Sequence, residues 1–558
     1  RTSFRINLMK TNYADMGFVR TAACSPEVSI GNPEENAKRI AESSSRLFDQ
    51  GISIGVFPEL SMTGYTAEDL FYSDKLIDAN ISGLVYLAEK SKLPCLVVGT
   101  PWRLRDGRLL NCAAVISENR IIGLIPKSAH PNHGEFYDLR WFSDGALINE
   151  HINDKKLGNF QIRVDQLFEV GSGVLGIELC EDLWSPISPS TRASLAGANI
   201  IANLSASNEL ITKAEYRRSL IHHTSAKNLC GYIYCGAGPT ESSKDIVFGG
   251  HCLISECGQT LAEGDRFSFG EQTIIADIDV DKIRHDRAQN KTFANAPRHD
   301  HFKISSLNVF IKPIENLSRT FVKHPFVPVS TKEFDSRAQE ILNIQSTGLA
   351  RRMISAHTEK LIIGLSGGLD STLAFLVCLE TLKSQAIEPK NLIAVTLPGP
   401  GTSEHTLQSV HELTESVDVK VREIKIHTAV EQHLRDIEHS GNTDTVFENA
   451  QARERTQVLF DLANQEAGIV VGTGDLSELA LGWCTFNADQ MSNYNVNVSV
   501  PKTMIIYLVE WYAKHKASKN LALALKRVID TPISPELIPP KQGEIQQKTE
   551  EVIGPYEL

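Results

Sequence analysis

The stretch Leu361-Ile362-Ile363-Gly364-Leu365-Ser366-Gly367-Gly368-Leu369-Asp370-Ser371-Thr372-Leu373 decides how the second half of the chain is read. A short apolar run ending at Gly364 predicts a buried strand. A Gly/Ser turn follows, and residues 371–380 then continue as an apolar-rich helix. Strand, glycine turn and helix start together make an anion cradle. Gly367 and Gly368 let the backbone approach a phosphate, unpaired helix N–H groups point at it, and the helix dipole favours negative charge. A Walker loop needs Gly-Lys-Ser where this chain has Leu369-Asp370-Ser371. An aspartate beside phosphate is repelled unless a divalent cation lies between them, so the loop points to a Mg²⁺–nucleotide complex. The competing reading is a glycine-rich turn with no ligand.

Around this loop, helix-like patterns at 331–359, 404–416, 429–437 and 448–467 alternate with apolar runs at 392–397, 419–426 and 469–473. That alternation predicts a parallel, doubly wound sheet with ligands at the carboxyl ends of its strands, where the loop sits. Gly472-Thr473-Gly474-Asp475-Leu476-Ser477-Glu478 follows another strand at the same edge. Glu478 is a candidate second carboxylate for Mg²⁺ beside Asp370, whereas Asp475 reads as a helix cap. Asn449 and Arg453, at i and i+4, share one helix face, either a ligand face or a solvated one.

The totals frame the rest. A chain of 558 residues predicts two or three domains. A hydrophobic content of 42% with 22% charged residues is ordinary for a soluble globular protein. No run of 18 apolar residues exists, so no membrane span is expected, and the start carries no signal-peptide core and no initiator Met. A net charge of −12 argues against a general nucleic-acid binder. Ten cysteines lie without CxxC or zinc spacing, as in a reducing, cytoplasmic protein.

In the first half, strand-like runs recur at 18–23, 52–57, 95–99, 113–116, 121–125, 174–179, 199–203, 231–235 and 273–278. Helical patterns lie between some of them, at 32–50, 76–90, 191–196 and 212–228. Many strands with few helices predict facing sheets with helices outside. Three strand ends carry reactive residues: Glu59 after Phe57-Pro58, Lys127 after Ile125-Pro126, and Cys180 after Ile177-Glu178-Leu179. Singly, each reads more readily as a surface acid, a solvated lysine and a packed thiol. Together they have a chemical logic. Glu59 takes the thiol proton, the Cys180 thiolate attacks an amide carbon, and Lys127 with the Glu181 backbone N–H stabilises the oxyanion. Acidic neighbours raise a thiol pKa, so a cation such as Lys127 is needed to offset them.

These motifs carry two resemblances. Pro58-Glu59-Leu60, Pro126-Lys127 and Cys180-Glu181-Asp182-Leu183-Trp184 are similar to the nitrilase, or carbon–nitrogen hydrolase, superfamily, within it the glutaminase domains of glutamine-dependent NAD synthetases. Ser366-Gly367-Gly368-Leu369-Asp370-Ser371 resembles the pyrophosphate loop of the ATP pyrophosphatases, which adenylate a carboxylate or carbonyl and release pyrophosphate. With Glu448-Asn449-Ala450-Gln451-Ala452-Arg453, Gly472 to Trp483 and Pro501-Lys502-Thr503, it is similar to NAD synthetase domains.

The resemblance implies an αββα sandwich over 1–298, a connecting segment over 299–333 and a synthetase domain over 334–558. It implies glutamine contacts at Tyr65, Glu135, Phe136, Glu181 and Ser207, with Glu135 as a supporting second glutamate. It implies ATP contacts at Ser366, Gly367, Gly368, Asp370, Ser371 and Thr473, and Mg²⁺ at Asp370 and Glu478. Deamido-NAD contacts fall to Glu448, Asn449, Arg453 and Lys502, the last at a phosphate. Ammonia from glutamine is then expected to reach the adenylate through a sealed apolar passage, in a homo-oligomer that binds neither nucleic acid nor membrane.

Two departures from the family pattern stand out. After Lys127 the chain reads Ser128-Ala129-His130-Pro131-Asn132-His133, where the family more commonly has Tyr-Leu before the Pro-Asn and Tyr after it. The sequence stops at Leu558, where such proteins usually continue through another helical segment, so a truncated chain or a missing tail is expected. Rival readings are another amidotransferase with the same loop, a silent sensor of glutamine and ATP, and a tRNA-modifying pyrophosphatase.

Overall fold

Strand Phe18–Ser25 buries Val19 and Ala23 on one face and Ala22 and Cys24 on the other, each pair in a different core. A strand covered on both sides must read as a continuous apolar run, which is why these strands are legible in the sequence. In the computed structural model, residues 11–243, 246–298, 301–322, 325–327, 331–400, 402, 404–531 and 554–556 are described. The chain divides into two compact units, Arg1–Thr320 and Phe321–Leu558.

Among the described residues, the first unit holds two sheets. One has eight strands in the order Gln272–Asp279, Phe18–Ser25, Ile54–Val56, Cys95–Arg103, Leu109–Ser117, Arg120–Pro126, Gly158–Ile162 and Glu150–Asp154. The other has seven, in the order Gln259–Glu263, Cys252–Glu256, Gly231–Gly236, Ile200–Ser205, Gly173–Leu179, Gln166–Val170 and Lys303–Ser306. Their facing sides share one core, with Ile54, Val56, Val97 and Val115 against Leu175, Ile177, Ile200 and Ile233. The outer face of the first sheet is covered by helices Pro33–Asp49 and Asp74–Lys90, through Ile40, Leu47, Leu84 and Leu87. The second is covered by Pro189–Leu195 and Lys213–Lys227, through Ala193 and Ile221. This is the αββα sandwich.

Within 299–333, expected above as a connecting segment, Lys303–Ser306 pairs in parallel with Gln166–Val170. Arg319 then binds both oxygens of Glu256, at 2.8 and 2.7 Å. Residues 303–319 therefore belong structurally to the first unit.

The second unit is built on five parallel strands in the order Val421–Glu423, Leu392–Thr396, Leu361–Gly364, Ile469–Gly472 and Tyr494–Asn495. Helix Leu369–Ser384 covers one face with Leu373, Phe375 and Val377, and helix Lys502–His515 joins it through Ile505 and Leu508. Helix Thr445–Glu466 covers the other, where Ala450 and Ala463 meet Ile362, Val395 and Val470. Parallel strands with helices on both faces give the expected doubly wound layout.

Gly99 shows how tightly the scaffold holds the first strand end. A Cβ there would lie 2.7 Å from the Glu59 carbonyl carbon, and closer still to the Pro58 carbonyl and Leu60 amide. Backbone cannot yield as a flexible side chain can. Gly99→Ala is expected to cost about 1–3 kcal/mol in a denaturant melt, as overpacking does. A variant with native stability would show that the strand end is not so constrained.

Candidate active sites

Glu59, Lys127 and Cys180 each stand one to three residues beyond a buried strand, on neighbouring ends of the two facing sheets. Lys127 is fully buried, and its ammonium lies 2.6 Å from Glu59 Oε1 and 3.0 Å from Asp138 Oδ2. Glu59 Oε1 also accepts from Asn111 Nδ2 at 2.7 Å, and Oε2 accepts from the Ala206 backbone N–H at 2.8 Å. Asp138 Oδ1 accepts from the Tyr65 hydroxyl at 2.6 Å. Burial opposes the Lys127 charge, but Asp138 and Glu59 outweigh it and hold the ammonium well above its usual range. Asp138 is held at about 2, since Lys127 and its hydrogen-bond partners outweigh the upward push of burial.

Cys180 opens the turn Cys180–Trp184 with φ of 41°. Left-handed backbone at a non-glycine residue is costly and gathers at functional sites. Burial pushes its thiol up to about 12; Glu59 adds to this, while Lys127 and the Ala206 and Ser205 groups act against it. Asp182 fastens the turn. Its Oδ2 accepts from Leu179 N–H at 3.0 Å, and its Oδ1 accepts from the Ser128 and Ala129 amides at 3.1 and 2.8 Å. One carboxylate thus ties the nucleophile turn to the segment that carries Lys127.

The predicted glutamine contacts divide into two groups. Tyr65, Glu135 and Phe136 line a cleft with Thr66, Asp138 and Trp141. Ser207 accepts from Arg217 Nη2 at 3.3 Å, and half-exposed Glu181 feels the charges of Lys127, His133 and Lys213. Glu135 is bound by Asn208. The second carboxylate on Lys127 is Asp138, three residues beyond Glu135. Sequence reasoning also missed Lys213, whose ammonium bonds Asn208 and lies 5.4 and 5.8 Å from the Phe136 and Trp184 ring centres.

In the second unit the glycine loop leaves strand Leu361–Gly364. Gly367 has φ +77°, and a Cβ there would meet Thr406 Cγ2 and carbonyl oxygen at 2.7 and 2.8 Å. A Cβ on Gly368 would find only Ser366 Oγ, at 3.4 Å, so its open side leaves room for a phosphate. Ser366 and Ser371 hydroxyls bond each other at 3.1 Å. Asn497 Nδ2 donates to the Asp370 and Thr473 carbonyls at 2.9 and 3.1 Å, joining the two strand-end loops.

Asp370, Asp475 and Glu478 bring carboxylate oxygens within 4.8 Å of one another. Into their midst reaches the buried Lys502 ammonium, 2.5, 2.7 and 3.3 Å from the three. Lys502, expected at a substrate phosphate, is here the counter-ion of the acidic cluster. Asp475 does cap its helix, accepting from Glu478 N–H at 2.7 Å, and also joins the cluster. Burial and the two neighbouring carboxylates push Asp370 up to about 7 despite Lys502. Its Oδ1 is buried with no hydrogen-bond partner among the described residues. Three carboxylates and one ammonium sum to two negative charges, so the donor set fits a divalent cation.

Helix Thr445–Glu466 carries Asn449, which accepts from Thr485 Oγ1 at 2.9 Å, and Arg453, which reaches the Phe486 carbonyl at 3.4 Å. The expected shared face exists and meets the 485–486 loop. Glu448, half-buried, lies in its first turn.

A family model described as carbon–nitrogen hydrolase matches residues 20–288, and one described as NAD synthase matches 341–557. A protein named glutamine-dependent NAD(+) synthetase from Mycobacterium tuberculosis (strain ATCC 25618 / H37Rv) is 38% identical, over 97% of this chain and 82% of that one. A protein of the same name from Mycobacterium leprae (strain TN) is 38% identical over 98% and 83%, and one from Thermotoga maritima 27% over 95% and 85%. The chain belongs to the glutamine-dependent NAD(+) synthetase family. Both halves of this family's pattern lie on a single chain here, the Cys180 site in the first unit and the glycine loop in the second. Among the described residues no helix is long and apolar enough to cross a membrane.

With its thiol pushed up to about 12, Cys180 in the free protein is protonated at neutral pH. Its alkylation by iodoacetamide without glutamine is expected to rise about tenfold per pH unit from 6 to 9 without a plateau. Peptide mapping of the labelled thiol measures this. A plateau below pH 8 would mean a preformed thiolate instead.

Proposed function

We propose that the first unit hydrolyses glutamine and that the second uses the ammonia to amidate deamido-NAD, giving NAD⁺, AMP, pyrophosphate and glutamate. Cys180 Sγ attacks the glutamine carboxamide carbon while Glu59 accepts the thiol proton, and the oxyanion forms against Lys127 and the Glu181 backbone N–H. The Glu59 proton passes to the departing nitrogen, ammonia leaves, and water releases glutamate from the thioester with Glu59 again as base. Tyr65, Glu135, Phe136 and Ser207 line the substrate. Lys213, between two aromatic rings and beside Glu181, suits a free amino acid, which brings a carboxylate and an ammonium together.

In the second unit the nicotinate carboxylate of deamido-NAD attacks the α-phosphate of ATP, and pyrophosphate leaves. Ammonia then displaces AMP from the acyl adenylate. Ser366, Gly367, Gly368, Ser371 and Thr473 would hold ATP, and Glu448, Asn449 and Arg453 deamido-NAD. Asp370 and Glu478 would hold Mg²⁺, which when bound neutralises phosphate charge and polarises the attacked phosphorus. Lys502 is suited to follow the leaving pyrophosphate once a cation relieves it of its carboxylates. In bulk water at pH 7 ammonia is mostly protonated and has no lone pair to attack with, so direct hand-over favours the reaction.

The observation that carries this reading is the buried Glu59–Lys127–Asp138 ion cluster around a strained Cys180, on the same chain as an acidic nucleotide loop. Cys180→Ala should abolish glutamine-driven synthesis of NAD⁺ and leave synthesis from ammonium salts within about twofold. Loss of both activities in a folded variant would refute the division of labour. Asp370→Asn should weaken Mn²⁺ binding in the presence of ATP by about 10–100-fold, read by electron paramagnetic resonance. Unchanged Mn²⁺ affinity would place the metal elsewhere.

A further inference from the structure

Arg217 is a fully buried cation that the reaction above does not use. It stands four residues after Lys213 on helix Lys213–Lys227, so both side chains leave the same helix face. Its guanidinium fans out over one segment. Nη2 donates to Ser207 Oγ at 3.3 Å and to the Asn208 carbonyl at 3.2 Å, and Nη1 donates to Glu209 Oε1 at 3.0 Å. Nη1 also meets His251 Nδ1 at 3.0 Å, and because arginine has only donors, that nitrogen accepts. The guanidinium carbon lies over the Tyr234 ring, 5.7 Å from its centre. Asn208 passes this order on: its Nδ2 donates to Glu135, and its Oδ1 accepts from the Lys213 ammonium. Ser207 Oγ, in accepting from Arg217, keeps its own hydrogen for another acceptor. Burial lowers the Lys213 ammonium from its usual range, and the Arg217 charge adds to this. The competing reading is a plain structural tie. Against it, the Glu209 amide is separately bonded to the Val247 carbonyl at 2.7 Å, so the segment has an anchor besides Arg217.

We propose that Arg217 is a positioning residue of the glutaminase site, fixing Ser207 and, through Asn208, Lys213, so that their donors receive the α-carboxylate of free glutamine. The inference rests on the assignment of glutamine hydrolysis to Cys180. A hydroxyl hydrogen and an ammonium held in advance bind a carboxylate without first being ordered, which is where fixed donors gain over mobile ones. Glu135, held by the same Asn208 side chain and lining the cleft beside Phe136, is then placed for the α-ammonium. The α-carboxylate takes no part in the bond changes at the carboxamide. Its contacts are therefore as strong before the attack as during it, and weakening them raises KM without a matching fall in kcat. Arg217 thus serves recognition of the free amino acid, while the Glu59–Lys127–Asp138 cluster serves the chemistry.

The test compares the wild type with Arg217→Lys in the full chain. Lysine keeps the charge, and with it the field felt by Cys180, but an ammonium has three donors for the four acceptors that Arg217 holds. The pair Arg217→Met with Glu209→Gln removes the cation without stranding a carboxylate, and carries the test if the lysine variant does not fold. Glutamate release gives kcat and KM. Alkylation of Cys180 by iodoacetamide without glutamine reports whether the nucleophile itself has been disturbed, and ammonium-driven NAD⁺ synthesis is the control on the second unit. KM for glutamine should rise about tenfold or more, with kcat within about threefold and the alkylation rate within about twofold of the wild type. An unchanged KM overturns the role of Arg217. So does an alkylation rate that falls in step with kcat/KM, since that marks general distortion of the site. Absence of glutamate release by the wild type would overturn the glutaminase assignment, and this inference with it.

Discussion

One ammonium group holds the first candidate site together. Lys127 Nζ is withdrawn from water between Glu59 and Asp138. Taking charges out of water is expensive, and removing one partner of such a pair strands the other at a cost of about 3–5 kcal/mol. The cluster therefore exists only where the fold supplies all three charges and their remaining hydrogen bonds at once. Glu59 comes from one strand end, Lys127 from another, and Asp138 from the turn after an irregular loop. Ala206, from the facing sheet, supplies an amide that fixes Glu59 Oε2. Bringing two sheets face to face is what lets these groups meet.

The same cluster sets the chemistry of Cys180. Burial and then Glu59 push the thiol up, and Lys127 offsets them only in part. A thiol in that state does not attack until its proton has somewhere to go, and Glu59 is the acceptor proposed for it. The second unit uses a related device with a different balance. There one buried ammonium meets three carboxylates instead of two. The remaining double negative charge fits the divalent cation proposed there, and Asp370 Oδ1 is buried with no hydrogen-bond partner among the described residues.

Much of this was legible from sequence because buried parallel strands are written as unbroken apolar runs. Chemistry placed just after such a run stands out, which is how Glu59, Lys127, Cys180 and Asp370 were found. The amphipathic edge strands Glu150–Asp154 and Gln259–Glu263, half-exposed and polar, gave no such signal. Asp138 was hidden for another reason. It follows a loop without periodicity, so spacing could not show whether it or Glu135 would turn toward Lys127. Asp182 and Lys502 act through partners distant in the chain, Lys502 through Asp370 at a separation of 132 residues. The αL backbone of Cys180 leaves no mark in residue identity either.

The central claim is that Cys180, served by Glu59 and Lys127, forms a covalent link to glutamine. Acid quenching of the protein during turnover with glutamine, followed by digestion and mass spectrometry, tests it most directly. The account predicts a γ-glutamyl adduct on the peptide that carries Cys180. An adduct on another cysteine, or steady glutamate release with no adduct at any quench time, would contradict it.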